Sequence, residues 1–130
     1  MSCYLNPDEE DQCVFIAFEG ELTTREAKLA HQEVSALMRA KQWNRVVVDL
    51  TQLESVPTAY ELLTLSEMVF LNLPRSTWIA LVVRQNQTKH AWVIESIAQN
   101  RGVNLRCFDD AENANAWVKT SPAFSTISEP

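Results

Sequence analysis

The feature that most constrains this sequence is an alternation of short apolar runs with helix-period segments that carry their own start signals. CVFIAF at 13–18, VVVDL at 46–50 and WIALVV at 78–83 are dense in β-branched and aromatic residues. Near-continuous hydrophobicity over that length suits strands covered on both faces, as in a parallel sheet. The pattern changes at 103–108, where Val103, Leu105 and Cys107 alternate with Asn104, Arg106 and Phe108. That alternation reads as a strand with one more open face. Residues 3–5 form a short first strand that turns back through 7–11 and pairs antiparallel with 13–18.

The segments between the runs have helical spacing. Thr23 with Glu26, and Thr58 with Glu61, stand at capping-box distance ahead of helices over 25–43 and 59–73. Asp109 with Glu112 repeats the device before 110–119. A further helix over 88–100 opens near Asn86 or Thr88 and closes at Gly102, a left-handed cap; Pro74 stops the helix before it. The order is β-β-α-β-α-β-α-β-α. With right-handed crossovers this predicts an α/β fold with a mixed, mostly parallel sheet and an antiparallel first strand. The 130 residues make one domain over 1–120, large enough for a real core, followed by a polar, proline-containing tail over 121–130.

Charge and composition narrow the function classes. A net charge of −6 is the wrong sign for phosphate backbones and for anionic membranes, so neither nucleic acid nor a lipid surface is the expected partner. No apolar run reaches the ~20 residues of a membrane span, and MSCYLNPDEEDQ lacks the basic and apolar regions of a secretory leader. Cys3, Cys13 and Cys107 are odd in number and widely spaced, which suits reduced thiols and a cytoplasmic setting.

Motifs for chemistry are missing. With only Gly20 and Gly102, neither a Walker A loop nor a GxGxxG turn can be built. No CxxC pair, no histidine cluster and no GxSxG elbow occurs, so neither a metal nor a cofactor is expected. His31 and His90 sit beside apolar helix positions, His90 with Val93, Ile94 and Ile97, where histidines usually pack or bond locally. In open α/β sheets ligands favour the crevice at the strand carboxyl ends. That rim comprises Glu21, Asp49, Thr51, Ser55, Thr58, Arg84, Asn86 and Asp109. It suits a small anionic or apolar ligand as the alternative to a protein partner.

Two helices carry more apolar surface than a core needs. On 59–73, Leu62, Leu63, Val69, Phe70 and Leu73 suffice to cover a sheet, while Tyr60, Met68 and Leu71 fall on the opposite side. A second apolar stripe marks a docking surface for a protein partner or a second copy of the chain, a two-fold homodimer being the simplest form. On 88–100, helical spacing puts Trp92 with Glu95 and Gln99, away from Ile94, Ile97 and Ala98. There it either covers a loop or stands out as an interaction anchor.

GELT at 20–23 directly after a strand, then a helix, then VVVDL at 46–50, resembles the STAS family of anti-sigma-factor antagonist domains. The segment FDDAENANAWV at 108–118 resembles that family's last strand end and terminal helix, and the likeness over roughly 12–119 is to the SpoIIAA-like branch. The resemblance implies a non-enzymatic domain of this topology that works by binding proteins. It also implies a phosphorylated serine in a DSSG-like turn at the start of the second helix. Here that turn reads PTAY: Pro57 replaces the aspartate, Thr58 matches the first serine, and Ala59 stands where phosphate would be received. The phosphoserine switch is therefore expected to be lacking, and Thr58 reads as a helix cap.

Overall fold

The structure, a computed structural model, describes residues 2–21, 23–54, 76–85 and 88–121, with backbone alone for 2, 24 and 88–91. Five strands run β1 (Ser2–Asp8), β2 (Cys13–Gly20), β3 (Arg45–Leu53), β4 (Trp78–Val82) and β5 (Asn104–Phe108). They lie side by side in chain order; β1 is antiparallel to β2, and every later pair is parallel. Three helices occur among the described residues: α1 (Thr24–Lys41), α2 (Thr88–Asn100) and α3 (Ala111–Val118). The expected mixed, mostly parallel α/β sheet is present. The expected helix over 59–73 lies outside the described residues.

When parallel strands follow one another in linear order, right-handed crossovers put the connecting helices on the same face. Accordingly, Ala30, Val34 and Met38 of α1 and Ile94 and Ala98 of α2 share one buried cluster with Val14, Ile16, Val46, Leu50, Ile79 and Leu81. The last helix follows the last strand and is free of that constraint. It folds onto the opposite face, where Ala114 and Val118 meet Cys13, Val47, Ala80 and Val82.

Local signals set the ends. Thr23 caps α1 as its spacing indicates: its Oγ1 accepts from the Glu26 amide at 3.2 Å and donates to the Glu26 carboxylate at 3.1 Å. Gly102, at φ +73°, closes α2 in a full Schellman arrangement, with Gly102 N–H to Gln99 O and Val103 N–H to Ala98 O. Gln42 does the same for α1 at φ +57°, without the freedom of a glycine.

Three details differ from expectation. α3 is capped by Asp110, whose carboxylate accepts from the Glu112 amide at 2.7 Å, not by Asp109; a carboxylate reaching the second amide on needs one residue less than a capping box. Val93, placed with the apolar side of α2, is 42% exposed, because the buried arc is narrower and centred on Ile94 and Ala98. Pro7 sits inside β1, opposite Val14, rather than in the turn. An outer strand has an unpaired side on which the missing N–H costs no ladder bond. The turn itself is fastened by Asp8, which accepts from the amides of Glu10 and Asp11.

Candidate functional site

β3 carries an extra residue relative to β2 between Asp49 and Gln52, a bulge at its carboxyl end. Asp49 closes the irregularity, its Oδ1 accepting from the Thr51 amide at 2.8 Å and the Thr51 hydroxyl at 2.6 Å. Arg84, just beyond β4, donates from Nε to the Thr51 carbonyl at 2.8 Å and from Nη2 to the Leu53 carbonyl. The guanidinium thus holds bulged backbone. At the same rim Gly20 takes φ +88°, a conformation open to glycine and costly for other residues, and its carbonyl accepts from the Glu54 amide at 2.7 Å. Glu21 follows it and is exposed.

A crevice of about 500 Å³ opens at the carboxyl ends of β3, β4 and β5, with Asp49, Thr51, Gln85, Asp109 and Asp110 among its lining residues. Its place fits the strand-end rule and its size suits a small ligand. Its charge does not suit the expected anion, because among the described residues three carboxylates line it and no cation does. Those carboxylates also have local work: Asp49 on the bulge, Asp110 on the α3 cap, and Asp109 accepting from Gln85 Nε2 at 3.4 Å. Gln85 and Asp110 join the rim residues expected from the sequence, the adjacency of Asp110 to Asp109 being the available signal.

No cysteine is poised as a nucleophile. Burial pushes the Cys13 thiol up to about 11. Burial and then the charge of Glu95 push Cys107 up to about 12. Cys3 is also raised, by burial and then Glu33. All three are therefore neutral thiols at pH 7, and the thiolate is the reactive form. His31 Nε2 lies 3.5 Å from Ser35 Oγ, one turn along α1. The His90 side chain lies outside the described residues. Among the described residues no cluster of His, Cys, Asp and Glu has the grouping to hold a metal ion, and no helix is long and apolar enough to cross a membrane.

Of the expected docking residues, Trp92 is described and is 69% exposed on α2, beside the exposed Val93. Tyr60, Met68 and Leu71 lie outside the described residues, as do Ser55, Thr58 and Ala59 at the switch-equivalent turn.

A mixed α/β sheet of this order defines a class of fold that comparison identifies. The family model for SpoIIAA-like proteins matches residues 13–119, and the chain belongs to the SpoIIAA-like family. An anti-sigma factor antagonist from Mycobacterium paratuberculosis is similar in structure, with TM-score 0.60 and 18% identity over 91% of this chain and 95% of that one. An uncharacterized protein from Shewanella loihica, of the DUF3478 family with a SpoIIAA-like fold, gives TM-score 0.57 and 14% identity over 90% and 92%. At these identities the likeness is one of fold. No curated protein matches the sequence.

Proposed function

We propose that this chain is a non-enzymatic SpoIIAA-like regulatory module that acts by docking on protein, using Trp92 of α2 together with Tyr60, Met68 and Leu71. The observation that carries the reading is Trp92, 69% exposed on a helix whose burial needs are met by Ile94 and Ala98. Leaving an indole in water forgoes a large transfer free energy, and tryptophan is the residue most enriched in binding hot spots. The similar fold of an anti-sigma factor antagonist, a protein named for acting on another protein, supports the same direction. Ala59 at the switch-equivalent position has no hydroxyl, so control by phosphate there is not part of the proposal.

The simplest version is a two-fold homodimer, since closed symmetric pairs are the commonest oligomers. Sedimentation equilibrium of the wild type, of Trp92→Glu and of the Met68→Glu, Leu71→Lys double variant tests it. A wild-type mass above the monomer that falls to the monomer in both folded variants is the expected result. If wild type and variants sediment alike, self-association through these residues is wrong.

A further inference from the structure

Arg106 stands at the middle of β5, two residues before Phe108, so both side chains rise from the α3 face of the sheet. Its guanidinium carbon lies 5.8 Å from the centre of the Phe108 ring and 5.9 Å from that of Trp117 in α3. Both distances fall within the range of cation–π contact. The rings beneath are themselves held in place. Trp117 stacks on Trp78 at 4.9 Å, and all three aromatics pack against the cluster of Ala80, Val82, Ala114 and Val118. Arg106 is exposed above this shelf.

Stacking occupies the flat face of a guanidinium and leaves its N–H groups, which lie in the plane, still to be matched. Two other arginines match theirs within the protein. Arg45 donates to the Ser121 hydroxyl and the Asp11 carbonyl, and Arg84 to the Thr51 and Leu53 carbonyls. Arg106 makes its ring contacts alone; among the described residues no acceptor takes its N–H groups and no carboxylate pairs with it. The acids that follow it in the chain are turned to other work. Asp109 accepts from Gln85, and Asp110 from the Glu112 amide. A chain of net charge −6 thus leaves this cation unneutralised on an aromatic shelf.

We propose that Arg106, Phe108 and Trp117 form a docking point for an acidic segment of a partner protein, whose Asp or Glu carboxylate takes the guanidinium fork. A carboxylate matches two parallel N–H groups, and an apolar neighbour in the same segment rests on the rings. Charge selects the carboxylate over a phosphate. Asp109, Asp110 and Glu112 follow just beyond in the chain, and their repulsion grows with the charge on the ligand. One guanidinium balances a monoanion and leaves a dianion in excess. The docking point belongs to β5 and α3, so it stands apart from docking through Trp92 of α2.

The test is a nitrogen–proton titration of the full chain that follows the Arg106 Nε–H and Trp117 indole N–H signals. The probes are acetyl-Leu-Glu-Phe-Glu-Leu-amide, its glutamine counterpart acetyl-Leu-Gln-Phe-Gln-Leu-amide, and inorganic phosphate. The acidic peptide should move both signals and saturate with a dissociation constant on the order of 1 mM. The glutamine peptide and phosphate should move neither. Arg106→Gln should weaken binding of the acidic peptide at least about tenfold, and Arg106→Lys, which keeps the charge without the fork, by less. Equal shifts from the glutamine peptide, shifts centred on α2, or no saturable shift overturns the proposal. So does undiminished binding by Arg106→Gln, and tighter binding of phosphate overturns the choice of an acidic protein segment.

Discussion

The two faces of the sheet are built from the same strands but closed to different degrees. Toward α1 and α2 the strands project large side chains, and Val14, Met38 and Leu53 lose all contact with water. Toward α3 the centre is made of small ones: Ala80 and Ala114 are fully buried and let the helix sit close to the strands. Around them Trp78 and Trp117 stack at 4.9 Å, and Phe108 lies 5.7 Å from Trp117, all three partly buried. Arg106 lies over the Phe108 and Trp117 rings at about 6 Å. Among the described residues, α1 and α2 pack on the first face and the eight-residue α3 on the second. The second face keeps an aromatic rim and an apolar margin.

If the comparison is right, its largest consequence is in core truncation. Met38→Ala, on the closed face, removes a fully buried side chain from a packed cluster and should cost about 2–5 kcal/mol in urea-induced unfolding. Trp117→Ala removes a larger side chain from the α3 face, but part of it already touches water, so about 2 kcal/mol is expected. A Trp117→Ala loss larger than that of Met38→Ala would break the comparison, placing the dominant core under α3.

A smaller effect sharpens the account of the closed face. α1 and α2 end in the same Schellman geometry, yet α2 has Gly102 at the left-handed position and α1 has Gln42. A non-glycine residue there carries steric strain of about 1–2 kcal/mol, partly offset because glycine loses more chain entropy on folding. Gln42→Gly should therefore stabilise the protein by about 1 kcal/mol, read as a rise in the urea midpoint with an unchanged slope. Gly102→Ala, with open space around its missing Cβ, should destabilise through backbone strain alone. Stabilisation by that change would show that the left-handed cap is not what ends the helix.

Much of this architecture was legible because local and tertiary requirements coincide. The runs at 13–18, 46–50 and 78–83 are apolar on both faces, and Thr23 and Gly102 mark helix ends by chemistry that needs no distant partner. The alternation at 103–108 reads correctly as a strand with one more open face, with Asn104 and Arg106 exposed and Leu105 buried. The site was less legible. Arg84 and Asp49 looked like rim groups free for a ligand, but they are occupied by a bulge that depends on how β3 pairs with β2, a long-range fact absent from the local pattern. Arg45 gave no signal at all, because its partners Asp11 and Ser121 are 34 and 76 residues away along the chain. Likewise the run CVFIAF announces coverage on both faces, and sequence alone could not show that Phe15 and Ala17 would be left partly open on one of them.

The smallest expected effect lies within a single strand. Tyr4 and Leu5 are neighbours in β1, so their side chains point to opposite faces. Leu5 packs on the edge of the α1–α2 cluster opposite Ile16, whereas Tyr4 faces the α3 side, opposite Ala17. Leu5→Ala should cost about 1–2 kcal/mol, less than a fully buried leucine because Leu5 is partly exposed. Tyr4 is 56% exposed, so Tyr4→Ala should cost no more than about 0.5 kcal/mol, the range of surface substitutions. Urea melts of the wild type and the two variants measure the difference. A Tyr4→Ala loss as large as that of Leu5→Ala would mean that the two faces of β1 are equally closed.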